Sequence, residues 1–206
     1  MIRLRVSDLD AWVRYVEPER EEWATSTEEF LTYMRREGEP TPNMLAGSAF
    51  HDVMEHAHAG DDLEYVEARG FGFTFADDLG AVALAQEREE PCEGVYPTPS
   101  GPVLLRGRVD GRTGIEVVDY KLTGGRFDAE RLARSLQWRS YLDLTGADRF
   151  RYAVFRAKIK PPEVYVFAVE EVTFWSYGDM RADVTRRVSE LAAFVVEHVP
   201  EFVEAA

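Results

Sequence analysis

Residues 107–141 read GRVDGRTGIEVVDYKLTGGRFDAERLARSLQWRSY. The apolar-rich runs Val103–Val109 and Ile115–Tyr120 flank Gly111-Arg112-Thr113-Gly114 and predict two neighbouring strands joined by a tight turn. Beyond Gly124-Gly125, Asp128 can cap a helix to Leu144. Ala129, Leu132, Ala133, Leu136 and Ser140 fall at core spacing along it, and Gly146 closes it. Two strands and then a helix, from Val103 to Leu144, set the character of the chain's middle.

Working outward, Glu93–Tyr96 reads as a strand that reaches Val103 through the Pro97/Pro99/Gly101 turn. Phe150–Phe155 and Val164–Val169 read as two more strands. A last helix starts near Asp179, turns Met180, Val184, Val188, Leu191 and Val195 inward, and stops at Pro200. On the other side lie three predicted helices. The first starts at Ser7 and carries Leu9, Trp12, Val13 and Val16 on one face until Pro18. The second starts at Ser26 or Thr27 and carries Phe30, Leu31 and Met34. The third runs from Asn43 to His58 with Leu45, Ala49 and Val53 inward. Gly60-Asp61-Asp62 reads as a loop. Leu63–Gln86 holds the alternation Phe71/Phe73/Phe75, with helical fragments on either side as far as Leu84. The order predicts an α/β fold: a mixed sheet flanked by helices, with an N-terminal helical extension. Its 206 residues fit one domain, with a helical part over 1–60, a sheet region over 93–170 and a C-terminal helix over 178–200.

The chain carries a net charge of −14, which argues against a polyanionic partner until its distribution is read. Val103–Lys160 holds 13 Arg and Lys against 7 Asp and Glu, a net of +6, which leaves −20 to the rest. A basic middle in an acidic shell suits a phosphate-binding groove. Arginines that merely salt exposed strands and helices would give the same count. The single cysteine, Cys92, excludes a disulfide framework or a four-thiolate cluster built by this chain alone. No apolar stretch spans a bilayer or resembles a signal peptide, so the expected setting is cytoplasmic and reducing.

The residues with chemistry are Asp110, Asp119 and Lys121, followed by Gln137 and Tyr141 one helical turn apart. Carboxylates on adjacent strands offer hard oxygen ligands to Mg²⁺ or Mn²⁺. Strand alternation puts Asp119 and Lys121 on one face with Tyr120 opposite. A cation and a lysine so placed suit hydrolysis of a phosphodiester. Read singly, each piece has a plainer meaning: an ion pair at a strand end, a turn aspartate, an i, i+4 surface pair.

In this order, however, G-x-x-D at Gly107–Asp110, apolar-apolar-D-Y-K at Val117–Lys121 and Q-x-x-x-Y at Gln137–Tyr141 resemble the PD-(D/E)XK nuclease superfamily. The likeness is to its RecB-like branch, which includes the RecB nuclease domain, lambda exonuclease and the CRISPR-associated exonucleases. Gly47-Ser48-Ala49-Phe50-His51 is similar to that branch's upstream G-x-x-x-H, and Val6-Ser7-Asp8-Leu9 to its opening. The resemblance implies a restriction-endonuclease-like fold and a Mg²⁺- or Mn²⁺-dependent DNA nuclease. An exonuclease is favoured over an endonuclease, acting in recombination, repair or degradation. It implies Asp110 and Asp119 as metal-binding acids, His51 as a further ligand or metal-positioning group, and the Tyr120 carbonyl as another. Lys121 would be the catalytic lysine, and Gln137 and Tyr141 would brace the site or touch the DNA backbone. Glu93 is a further candidate acid. Some members carry an iron–sulfur cluster, which a single cysteine does not support here. Arg126, Arg134 and Arg139 are candidate phosphate contacts, and Trp138 either stacks on a base or belongs to the core. No nucleotide-binding motif is present, so a helicase or recombinase would be a separate chain, and a homo-oligomer is a further possibility.

Two other readings stand beside this one. His51, Glu55 and His58 share a helix face and could form a metal site of their own. A non-catalytic DNA-binding or protein-interaction module on the same fold is the second. The hairpin also poses a problem. A two-residue turn at Arg112-Thr113 sets Asp110 opposite Ile115 and leaves Asp119 about 10–14 Å along the ladder, at ~3.4 Å per residue. A shared cation then requires a bulge or bend at Gly111 and Gly114.

Overall fold

The computed structural model describes residues 1–18, 24–57, 64–77, 79 and 84–203. The elements run β1 (Ile2–Arg5), α1 (Val6–Val16), α2 (Thr27–Arg35), α3 (Pro42–His56), β2 (Tyr65–Ala68), β3 (Phe71–Phe75), β4 (Glu87–Tyr96), β5 (Val103–Thr113), β6 (Glu116–Thr123), α4 (Ala129–Arg134), α5 (Gln137–Thr145), β7 (Arg149–Lys160), β8 (Glu163–Trp175) and α6 (Met180–His198). Among the described residues, eight strands join one mixed sheet in the order β1-β5-β6-β7-β8-β3-β2, with β4 also paired to β5. The pairs β1/β5, β6/β7 and β3/β8 are parallel and the others antiparallel. This is the expected α/β architecture, a mixed sheet flanked by helices. Among the described residues no helix is long and apolar enough to cross a membrane.

Alternation along β6 divides the core. Val117 faces one way, into a cluster with Leu9, Trp12 and Phe30 from α1 and α2, Tyr141 and Leu142 from α5, and Val184, Val188 and Leu191 from α6. Val118 and Tyr120 face the other way, into a cluster with Phe50 and Val53 of α3, Phe73 of β3 and Phe155 of β7. A sheet sandwiched between helices needs apolar residues on both faces, which is why Val117-Val118 on β6 and Tyr152–Phe155 on β7 are consecutive buried apolar residues.

Several local expectations change. Strand β1 and the outer halves of β7 and β8 extend the sheet beyond the predicted runs. The N-cap of α1 is Arg5 rather than Ser7, and the Asp8 side chain reaches back to accept from the Arg5 amide at 2.8 Å. On α3 the inward residues are Ala46, Ala49, Phe50 and Val53, while Leu45 is exposed. The predicted helix from Asp128 to Leu144 is two helices, broken at Ser135-Leu136. His58, the loop 60–62 and the segment 80–83 lie outside the described residues.

The largest revision concerns the hairpin. β5 and β6 pair as Gly111–Val118, Arg112–Val117 and Thr113–Glu116, so the turn residues are Gly114 and Ile115. Gly114 takes φ +57°, the left-handed value that a hairpin turn demands of its first central residue and that glycine adopts without strain. One step beyond the last pair, this register brings Asp110 level with Asp119 without the separation that a turn at Arg112-Thr113 would impose. Apolar Ile115, exposed at the turn tip, disguises the turn as the start of a strand.

Candidate active site

β4 runs along one edge of β5 for most of its length, so β1 and β6 share the other edge. β1 lies beside Val103–Arg106 and β6 beside Gly111–Thr113. Gly107–Asp110 fall in the gap between them. The Tyr141 hydroxyl enters this gap and donates to the Arg108 carbonyl at 2.9 Å. A Cβ on Gly107 would stand 2.5 Å from Tyr141 Cε1 and 2.9 Å from Val6 Cγ2, so the glycine is what lets the tyrosine ring lie against the strand. Burial pushes the Tyr141 hydroxyl above its ordinary range, which keeps its proton available for that hydrogen bond. The glycine of G-x-x-D and the tyrosine of Q-x-x-x-Y are thus two halves of one packing contact.

Asp110 and Asp119 emerge where the strands part. One Asp110 oxygen, Oδ2, accepts from the Tyr120 amide at 2.9 Å and lies 3.2 Å from His51 Nδ1. Asp119 is 3% exposed, and its Oδ1 accepts from Gln137 Nε2 at 2.6 Å. Lys121 Nζ lies 2.9 Å from Asp119 Oδ2 and directs a hydrogen bond of 2.9 Å to Gln137 Oε1. Beneath the ammonium lies the Tyr152 ring, with its centroid at 5.1 Å. Asp119, Lys121 and Gln137 therefore close a ring of three polar contacts. Tyr120 points to the opposite face, where its hydroxyl accepts from the Ala85 amide at 2.8 Å.

Burial pushes the Asp119 carboxyl above the usual carboxylate range and the charge of Asp110 adds to this, while Lys121 opposes both. For His51, burial favours the neutral ring, but the hydrogen bond and charge of Asp110 outweigh it and leave the imidazole above its ordinary value. The two acids thus hold excess negative potential that a cation would relieve. Asp119 Oδ2 is buried against the Lys121 ammonium, and a carboxylate oxygen so placed keeps a second lone pair for a hard cation. By donor chemistry, two carboxylates and an imidazole fit Mg²⁺ or Mn²⁺. Among the described residues, no three His, Cys, Asp or Glu side chains converge as a ready metal cage. His51 is turned to Asp110, and Asp119 to Lys121 and Gln137.

Other sequence candidates fare unevenly. Arg126, Arg134 and Arg139 line a cleft of about 760 Å³ together with Lys121 and Gln137. Arg126 and Arg134 have no acidic partner among the described residues, whereas Arg139 spends NH1 on the Ala133 and Ser135 carbonyls. Trp138 is not a base-stacking platform. It is 5% exposed, stacks on Phe174 with centroids 4.8 Å apart, and donates its indole N–H to Ala133 O. Glu93 is not a site acid, because it sits on the exposed side of β4 paired with Arg106. The basic stretch is also partly neutralised on the sheet, where Arg112, Arg149 and Arg156 meet Glu90, Glu116 and Glu170.

A further carboxylate near these groups, which the sequence does not single out, is Glu89. The β4/β5 register places it across from Asp110, between the pairs Arg88–Gly111 and Glu90–Val109. Its φ of +52° is rare for a residue with a side chain and marks local strain beside the two aspartates. Glu89 pairs with Arg108, and burial followed by the charges of Asp110 and Glu55 pushes its carboxyl up against the pull of that arginine. In the sequence it stands in Glu87-Arg88-Glu89-Glu90, where nothing separates it from its charged neighbours.

No protein-family model and no curated protein matches the chain. Solved structures do. A crystal structure of SSO0001 superposes with TM-score 0.55 and 17% identity, over 95% of this chain and 77% of that one. The phage related exonuclease from Haemophilus somnus 129PT superposes with TM-score 0.53 and 12% identity, over 98% of this chain and 97% of that one. At such identities the likeness is one of fold. The chain shares with these structures a mixed sheet flanked by helices, the architecture that its motifs led one to expect.

Proposed function

We propose that this chain is a Mg²⁺- or Mn²⁺-dependent nuclease that hydrolyses DNA phosphodiester bonds from strand ends, in recombination, repair or degradation. The observation that carries the reading is the register that sets Asp110 across from Asp119, with Lys121 beside Asp119 and held by Gln137. Asp110, Asp119 and His51 would hold the cation, with the Tyr120 carbonyl as a further oxygen. When bound, it would polarise the phosphate and make water more acidic.

Lys121 sits beside Asp119 and offers Nζ to the phosphoryl oxygens as negative charge builds on them. Gln137 fixes that ammonium and the Asp119 carboxylate with one amide, which spares the reaction the cost of aligning them. The Tyr152 ring covers one side of the ammonium and shields it there from water. Arg126 and Arg134, lining the cleft that opens from Lys121, suit the sugar-phosphate backbone, which binds by charge rather than by sequence. An exonuclease among the structures of like fold supports end-directed action.

The test is digestion of end-labelled linear DNA and covalently closed circular DNA with Mg²⁺ or Mn²⁺. Loss of linear DNA alone, dependent on metal and abolished in Asp119→Ala, is the expected result. Cutting of circles would make the enzyme an endonuclease acting through the same residues. A folded protein that binds both forms of DNA and cuts neither would overturn the reading in favour of a binding module.

A further inference from the structure

The Asp119–Lys121–Gln137 ring depends on where Gln137 is held, and Gln137 opens α5 just after the break at Ser135-Leu136. That break is tied down from a distant part of the chain. Asp10, on α1, accepts through Oδ1 from the Ser135 hydroxyl at 2.6 Å and from the Leu136 amide at 3.2 Å. Its other oxygen is paired with Arg14 one turn along the same helix. An ionised carboxylate only accepts, so the Ser135 proton is committed to Asp10. The Ser135 oxygen is then free to accept, and it does so from the Gln137 amide at 3.1 Å and from the Tyr152 hydroxyl at 3.3 Å.

The neighbours of Gln137 set which way its amide points. Lys121 Nζ donates to Oε1 at 2.9 Å, while Nε2 donates to Asp119 Oδ1 at 2.6 Å. The reversed amide would turn N–H donors toward the lysine ammonium and its oxygen toward a carboxylate, so only one orientation satisfies every partner.

We infer that Asp10 is a positioning residue for the reaction: through Ser135 it fixes Gln137, and through Gln137 it fixes the Asp119 carboxylate and the Lys121 ammonium. The inference rests on the nuclease reading above. Asp10 touches none of the reacting groups itself. Neither is it a core residue of α1, whose docking falls to buried Leu9, Ala11 and Trp12. Its removal should therefore leave the fold standing and loosen the site.

The experiment is single-turnover and steady-state cleavage of linear DNA with Mg²⁺ by the full chain. In Asp10→Ala, kcat should fall about 10- to 100-fold, as for other supporting-shell changes, with KM nearly unchanged. Asp10→Asn, whose amide oxygen can still accept from Ser135, should recover most of the loss. In a Gln137→Ala background Asp10→Ala should add less than about threefold, because the link it acts through is gone. A wild-type rate in Asp10→Ala, or a full additional loss in the Gln137→Ala background, would overturn the inference. A wild-type protein that cuts no DNA would instead overturn the nuclease reading. The link from Asp10 is then read directly from the Gln137 side-chain amide resonances. A shift in Asp10→Ala that Asp10→Asn reverses supports it, and unchanged resonances in Asp10→Ala overturn it.

Discussion

On the face of the sheet covered by α1, α5 and α6, each polar group of the site has two or more neighbours. Lys121 meets Asp119, Gln137 and the Tyr152 ring, and Gln137 meets Asp119, Lys121, Ser135 and Tyr152. On the face covered by α3, His51 reaches Asp110 through a single contact of 3.2 Å, and its side chain is 38% exposed. The first arrangement fixes charge in advance and the second leaves a side chain able to turn. In the nuclease proposed above, the lysine side would hold its cation in one place and the histidine side would let a ligand enter and leave.

If this division is right, breaking the lysine side should cost most. Lys121→Ala should reduce cleavage about 10³-fold, since loss of one preorganised charge or donor typically costs ~10²–10³. Melting should shift as well, because the buried Asp119 carboxyl loses its counter-charge, so rates are compared where the variant is folded. Initial rates on labelled DNA and a thermal melt together check this. On the other side, His51→Ala should leave the Lys121 ring intact and weaken Mn²⁺ binding about tenfold, as expected of a residue that positions a ligand. Calorimetric titration reads that change, and an unaltered affinity would remove His51 from the metal's surroundings.

The contact between Gly107 and Tyr141 offers a test of structure apart from chemistry. Gly107→Ala should destabilise the chain by ~1–3 kcal/mol through overpacking against Tyr141 and Val6. Tyr141→Phe should cost only ~1 kcal/mol, for the hydrogen bond to Arg108. Denaturant unfolding of both variants settles the order, and a neutral Gly107→Ala would show that the ring does not lie where it is described.

A smaller effect concerns pH. The Asp110 hydrogen bond and charge raise the His51 imidazole, so the pair stabilises the fold in acid and loses that contribution as pH rises through the raised value. In Asp110→Asn the imidazole should titrate lower, and proton NMR of the His51 ring follows it. Smallest of all, Arg126→Ala and Arg134→Ala should each weaken DNA binding evenly across sequences and lower the salt slope by ~1.

The asymmetry also explains what could be read without coordinates. Strand alternation already separated Asp119 and Lys121 from Tyr120, because a period of two depends on neighbours in the chain and on nothing else. Where the hairpin turned could not be read with the same ease. Gly111 and Gly114 bracket two possible turns, and only the packing of Ala85 against Gly111 and the φ of Gly114 choose between them. The break at Ser135 was hidden because Ala133 to Ser140 keeps helical spacing, and the Asp10 carboxylate that stabilises the break lies 125 residues earlier. Glu89 acquires meaning only through its register with Asp110. Trp138 offered both roles from sequence, and Phe174 on β8 decides for the core.

The central claim is that Asp110 and Asp119 hold the cation while Lys121 serves the chemistry, and one paired measurement separates these roles. Mn²⁺ affinity and single-turnover cleavage should be taken together on the wild type, Lys121→Ala and Asp119→Asn. Lys121→Ala should bind Mn²⁺ about as well as the wild type and cleave about 10³-fold more slowly, while Asp119→Asn should lose both binding and cleavage. Cleavage by Lys121→Ala within a few-fold of the wild-type rate, or undiminished Mn²⁺ binding by Asp119→Asn, would contradict the account.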